Sequence, residues 1–451
     1  MTKAYSEREL AVQIVMEILE KSGKSHIILQ NTLEKYQYLQ KRERSFITRV
    51  SMGTIERLIE MDAIINQFSK IKVKKMKPSI RTILRCSVYQ LIYMDSVPDS
   101  AVCNEAVKLT VKNKLPGLKG FVNGVLRNIA RNRESIVYPK KSESVDYLSV
   151  TYSMPKWIVQ MWLNAYKEEK IKSILKGFQA EKPLTVRCNT AFVSPEHFMQ
   201  IMKEEGVISK AHSYLEYAFE IEGYDYLKGL KSFREGIFFV QDSSSMLVAE
   251  IAGVQKKDYI IDVCAAPGGK SLHLSEKGGE DIIIEARDLT EYKLEFIREN
   301  IERLNKKNIK VVQQDARECD VQAKEKADIV IADLPCSGLG VLGKKPDLRY
   351  RISKEQIEEL VALQREILTS VHSYVKKEGT LIYSTCTISK EENEGNVEWF
   401  LKQFPEFELE AFTEQLPQQL REEEAGKGYL QLLPGIHNCD GFFIAKFKKR
   451  S

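Results

Sequence analysis

The sequence predicts an α/β fold: a doubly wound parallel sheet preceded by an all-helical unit and a small α+β connector. Three observations carry this. From about residue 237 onward, short apolar runs that read as strands alternate with helical stretches. Residues 6–132 show helical spacing alone. Between them, residues 152–236 mix the two patterns. The expected domains are 1–132, 145–236 and 237–451, in keeping with about 100–200 residues per domain for a chain of 451 residues.

In the first domain Ser6 and Glu9 form a capping-box pattern, after which Ala11, Ile14, Val15, Ile18 and Leu19 recur on one helical face. Amphipathic segments follow over 45–68, 79–94, 100–113 and 118–131, which predicts a helical bundle. The polar stretch Arg131 to Ser144 reads as a linker. In the connector, Pro155-Lys156-Trp157-Ile158 starts a helix, Leu184 to Asn189 reads as a strand, and Ser194-Pro195-Glu196 starts another helix. In the third domain the strand cores are Tyr259–Val263, Ile282–Ala286, Ile309–Val312, Ile329–Ala332 and Thr380–Tyr383. Helices Glu291–Leu304 and Lys354–Val375 lie between them.

The formal charge of +5 is too mild to name a partner by itself. Two local basic runs matter more: Lys70, Lys72, Lys74, Lys75, Lys77 and Arg81, then Arg127, Arg131, Arg133, Lys140 and Lys141. Either could be a solvated face, and together they suit a surface that tracks phosphates. The eight cysteines form no C-x-x-C pair, which argues against a zinc site or a disulfide framework and for a reducing compartment. The start, Met1 to Glu7, lacks an apolar signal core, and no segment approaches the roughly 18 apolar residues of a membrane span. A soluble, cytoplasmic protein without a metal is expected, acting as a monomer.

Strand ends carry the chemistry. Cys264-Ala265-Ala266-Pro267-Gly268-Gly269-Lys270 follows the first strand, where glycines let a backbone approach a ligand at a helix N-terminus. Ala266 and Pro267 interrupt a G-x-G-x-x-G pattern, and Cys264 stands where a phosphate-binding loop needs glycine, which disfavours nicotinamide and nucleoside triphosphate. Asp288 ends the second strand, Asp315 the third and Asp333 the fourth. Asp288 stands where a carboxylate can bind ribose hydroxyls, although it could equally cap the next helix. An isolated cysteine is usually core filler, and Cys86, Cys103, Cys188, Cys319 and Cys439 fit that. Cys336 in Asp333-Leu334-Pro335-Cys336-Ser337-Gly338 and Cys386 in Ser384-Thr385-Cys386-Thr387 each follow a strand end instead, at the edge that carries the glycine loop.

These two motifs, the 264–270 loop and Phe239-Val240-Gln241-Asp242-Ser243-Ser244-Ser245 resemble the RNA cytosine-C5 methyltransferases. The resemblance implies a Rossmann-like class I methyltransferase domain with a seven-stranded sheet and S-adenosylmethionine held by Cys264, Ala265, Ala266, Pro267, Gly268, Gly269, Lys270, Asp288, Asp315 and Asp333. Carbon 5 of cytosine is a weak nucleophile until a thiolate adds to carbon 6. In this family Cys386 would be that nucleophile, Cys336 would assist product release, and Asp333 would engage N3 and the amino group. Asp315 would receive the adenine amino group.

Leu91 to Pro98, Asn104-Glu105-Ala106-Val107 and Phe121 to Arg127 resemble the NusB-like RNA-binding domain, which marks the 16S ribosomal RNA branch of the RsmB or Sun type. The connector would then help to hold RNA. Cations in the turn Gly340–Arg351 (Lys344, Lys345, Arg349) would grip phosphates beside the base pocket, and His437, in the tail that resembles the family's closing hairpin, would be structural. A transfer-RNA methyltransferase and a non-catalytic RNA-binding assembly factor are the competing readings. The intact cysteines, Asp333 and cofactor loop oppose the second.

Overall fold

The computed structural model describes residues 5–36 and 38–450. Residues 1–4 of the stretch searched for a signal core lie outside them. The chain divides into two compact units, Met1–Ala180 with Leu342–Arg351, and Glu181–Val341 with Ile352–Ser451.

The first unit is helical. Helices Glu7–Glu20, Ser25–Lys35, Lys41–Glu56, Leu58–Phe68, Pro78–Tyr93, Asp99–Lys112 and Lys119–Arg131 are followed by Ser144–Thr151, Lys156–Ala165 and Glu168–Gln179. Ser6 caps the first helix by accepting from the Glu9 amide. The segment read as helical over 45–68 is two helices, parted where Arg57 leaves helical backbone angles. Ile14, Val15, Ile47, Val50, Ile83, Leu84, Leu126 and Ile129 form one buried core, each worth about 1.5–3 kcal/mol on burial.

The polar linker is anchored in this unit. The Val137 amide donates to Gln67 Oε1 at 2.9 Å, and the Tyr138 hydroxyl donates to buried Glu60 at 2.6 Å.

Residues 342–351 correct one expectation. Arg349 is 1 % exposed and donates to the carbonyls of Leu342, Ser153 and Glu56, so it has no free face for a phosphate. Asp347, also buried, accepts from the Ser25 hydroxyl and amide. Lys344 and Lys345 keep exposed positions.

The second unit holds two sheets. Strands β1 (Leu184–Cys188), β2 (Ile208–Ala211), β3 (Ala218–Glu222) and β4 (Phe238–Val240) form the smaller, in the order β2-β3-β1-β4. The larger contains β5 (Tyr259–Asp262), β6 (Ile283–Asp288), β7 (Ile309–Gln313), β8 (Ala327–Asp333), β9 (Val375–Thr385), β10 (Phe407–Leu409), β11 (Tyr429–Leu432) and β12 (Phe442–Lys449). Seven run in the order β10-β12-β9-β8-β5-β6-β7, and β11 pairs with β12 as an eighth.

The strands from β9 through β8, β5 and β6 to β7 are parallel, and β12 is antiparallel to β9. The chain reverses its winding between β5 and β8, which opens a crevice at the strands' carboxyl ends. Ile329, Val330, Ile331 and Ala332 of β8 are all buried, the continuous apolar run of a strand covered on both faces. The helix expected to reach Val375 ends at Val371. One 3-10 turn, His372–Tyr374, then leads into β9.

Candidate active site

The loop after β5 is held from the end of the neighbouring strand β6. The Ala265 amide donates to the Arg287 carbonyl at 2.9 Å, and the Ala266 amide donates to Asp288 Oδ2 at 3.0 Å. Gly268 takes φ +98°, a left-handed angle that glycine adopts without strain, and the chain then turns into helix Gly269–Gly278. A side chain at Gly269 would press on the Phe239 ring at 3.0 Å. The loop's backbone therefore stays bare at a helix N-terminus.

Asp262, at the end of β5, is wholly buried. Its Oδ2 accepts from Ser271 Oγ at 2.6 Å, while Oδ1 has no hydrogen-bond partner among the described residues. Burial pushes this carboxyl up to about 7. Asp288 accepts from the Leu289 amide and Lys293 Nζ, both at 2.8 Å, besides Ala266. Asp315 is bound by the Arg317 side chain, which holds its carboxyl below the usual carboxylate range. A bare glycine loop ringed by strand-end carboxylates fits a cationic adenosine cofactor.

The two thiols meet. β8 and β9 are parallel neighbours with Asp333 opposite Ser384, so the loops that leave them run side by side. Leu334 and Gly340 donate their amides to the carbonyls of Ser384 and Cys386, both at 3.0 Å. A Cβ on Gly340 would lie 2.0 Å from the Gly441 carbonyl oxygen and 2.8 Å from that of Cys386, so only glycine permits this approach. Cys336 Sγ lies 3.2 Å from Cys386 Sγ. Cys336 is held well above the ordinary thiol range, first by its hydrogen bond with Cys386 and then by burial.

Asp333 stands at the end of β8 and joins this lip to the glycine loop. Its Oδ2 is 2.5 Å from Lys270 Nζ and its Oδ1 accepts from Ser384 Oγ at 2.8 Å. The Lys270 ammonium also lies over the Phe442 ring. Cys264 is in the loop and half-buried, and the loss of solvent around its thiol pushes it up beyond the ordinary range. His437 accepts from the Leu433 amide through Nδ1 and pairs with Glu422 through Nε2, a packing role in the tail.

Sequence reasoning missed four residues. Arg187 of β1 is fully buried, forms two 2.9 Å bonds with Glu276, and donates to Gln241 and to the Gly269 carbonyl at the start of the loop's helix. Asp262, Glu392 and Asn393 are wholly buried as well. Arg187 and Asp262 are polar residues among apolar strand neighbours, a signal that could have found them, whereas Glu392 and Asn393 sit in a polar run that carries none.

Comparison with known proteins follows the same division. A family model described as "16S rRNA methyltransferase RsmB/F" matches residues 249–448, "NusB family" matches 5–131, and "Methyltr_RsmF/B-like, ferredoxin-like domain" matches 154–224. The chain is 33% identical over 446 residues to "Probable ribosomal RNA small subunit methyltransferase B" of Synechocystis, covering 98% of this chain and 99% of that one. It is 30% identical to "Ribosomal RNA small subunit methyltransferase B" of Escherichia coli O127:H6 over 100% of both chains. The chain belongs to the ribosomal RNA small subunit methyltransferase B family.

Solved structures agree in fold. One described as "Crystal Structure of PH0851" aligns over 99% of both chains with a TM-score of 0.83 and 24% identity. "NSun6 from Pyrococcus horikoshii with SFG" aligns over 66% of this chain and 98% of that one, with a TM-score of 0.59 and 25% identity. As a member of the RsmB/F family the protein is an RNA methyltransferase, and its cofactor is S-adenosylmethionine. Among the described residues no helix is long and apolar enough to cross a membrane.

Proposed function

We propose that the protein is a 16S ribosomal RNA cytosine-C5 methyltransferase that works through a covalent cysteine adduct. The observation that carries the reading is the pair of thiols 3.2 Å apart, in the loops that leave two neighbouring parallel strands beside the glycine loop. Residues 1–132 act as a NusB-like RNA-binding domain, 145–236 as an RNA-holding connector, and 237–451 as the catalytic domain. The 16S assignment draws on the family model's description, with relatives named for ribosomal RNA of the small subunit.

Cys386 adds through its sulfur to carbon 6, while the Asp333–Lys270 pair supplies and steadies a proton toward N3. Residues 264–270 with Asp288 and Asp315 would hold S-adenosylmethionine, which would supply the methyl group for carbon 5 and leave as S-adenosylhomocysteine. Cys336 then removes the carbon 5 proton, the C6–S bond breaks, N3 returns its proton to Asp333, and Cys386 regains a free thiolate. Cys336 is raised above the ordinary thiol range by its hydrogen bond to Cys386 and then by burial, and the first of these causes is removed once Cys386 is held in a carbon–sulfur bond.

Bisulfite sequencing of RNA from a strain lacking the gene tests the product. One protected cytosine should vanish from 16S RNA and return with the wild-type gene but not with Cys386→Ala. Loss of a protected cytosine from transfer RNA instead, or no loss at all, overturns the assignment.

A further inference from the structure

The two cysteine loops are held by one buried dipeptide. Glu392 and Asn393 have 0 % exposure and sit just before helix Glu394–Gln403. Glu392 grips the first loop. Its Oε1 accepts the Ser337 amide at 2.8 Å and Gln364 Nε2 at 3.1 Å, and its Oε2 accepts Ser337 Oγ at 2.5 Å. Gln364 Nε2 also donates to the Pro335 carbonyl at 2.8 Å, so both residues flanking Cys336 are tied to this cluster.

Asn393 grips the second loop. Its Oδ1 accepts Thr385 Oγ1 at 2.6 Å, and its Nδ2 donates to the Thr387 carbonyl at 3.1 Å, which fixes both neighbours of Cys386. A 2.7 Å hydroxyl contact between Ser337 and Thr387 closes the circuit. The Tyr383 hydroxyl donates to the Glu392 carbonyl and ties the dipeptide back to β9. Three donors converge on the Glu392 side chain, which suits a carboxylate, although burial pushes its titration up. A buried network satisfied in this way specifies one geometry.

We infer that Glu392 and Asn393 are positioning residues that set the separation of Cys336 and Cys386, one side chain on each cysteine loop. Neither needs to touch the substrate. The inference deepens the proposed function and rests on it for its catalytic meaning, yet the spacing can be read without any methylation.

The experiment uses the full chain and diamide, which takes two electrons and two protons from a pair of thiols to leave a disulfide and a hydrazine. Peptide mapping after alkylation follows closure of the Cys336–Cys386 disulfide. The wild-type protein should close this pair first among its cysteines. Asn393→Ala should close it at least tenfold more slowly, and Glu392→Gln, which keeps an acceptor for the Ser337 amide, should fall between. Calorimetry should find S-adenosylmethionine affinity within twofold throughout. Turnover on RNA should fall at least tenfold in Asn393→Ala with KM within twofold. If Asn393→Ala does not fold, Thr385→Val removes one bond to Asn393 at nearly constant volume and takes the same measurement. Wild-type closure rates in the folded variants, or a wild-type pair that never closes, overturn the inference. Slowed closure in a protein that methylates a different base would leave the clamp standing and fail only the reaction assignment.

Discussion

Cys336 Sγ lies 3.2 Å from Cys386 Sγ although 50 residues separate them in the chain. The parallel register of β8 with β9 brings them together, since Asp333 pairs with Ser384 and each cysteine follows a few residues later. One thiol in such a pair can hold the proton while the other attacks.

The Arg187–Glu276 pair should behave as a buried ion pair whose halves are costly alone. Arg187→Met leaves Glu276 without its partner in a site where the two side chains are 0% and 3% exposed. Urea unfolding should show a loss of about 3–5 kcal/mol. The double variant with Glu276→Met should recover most of it. A single variant as stable as the wild type would show that the pair holds nothing.

Asp262 should give a pH signature. Its carboxyl rises from an ordinary 3.8 to about 7 because burial disfavours the charge, with Asp333 and Asp288 adding to the rise and Lys270 and Ser271 opposing it. The folded state then binds more protons than the unfolded state between those values. This contribution to stability is fully present below about pH 4 and is lost as pH rises to about 7. Asp262→Asn should flatten that segment, a change on the order of a few kcal/mol between pH 4 and 8 in denaturant titrations. An unchanged slope would place the titration elsewhere.

Much of this was legible in the sequence, for reasons that vary by element. The cores of β5 to β9 announced themselves because a strand covered on both faces must be apolar throughout. The thiol lip followed from two cysteines at strand ends, where a core cysteine has no reason to be. Arg349 misled because a lone residue's burial is not written beside it. Nothing local distinguishes a cation facing phosphate from one sealed by carbonyls of Leu342 and Ser153. The clamp at Glu392 and Asn393 was equally silent, since its partners Ser337 and Thr385 lie far off in the chain or across a turn.

The exposed run Lys72, Lys74, Lys75 and Lys77 keeps its place on the surface of the first unit, whereas Arg81 is drawn off by Glu20. If these four lysines track phosphates, changing all to Gln should weaken binding of single-stranded RNA segments and lower the salt slope by about 3, at roughly 0.7 per contact. Filter binding of the full chain across a salt series measures both. An unaltered slope would remove this face from the RNA footprint.

The decisive measurement is a denaturing gel of RNA mixed with S-adenosylmethionine and each cysteine variant. In Cys336→Ala, Cys386 can still attack and carbon 5 can still take the methyl group, but the carbon 5 proton is not cleared, so methylated RNA should stay bound to Cys386 as a denaturant-resistant band. Cys386→Ala and the double variant should give no band and no turnover. A band from Cys386→Ala with none from Cys336→Ala would contradict the assignment and move the attack to Cys336.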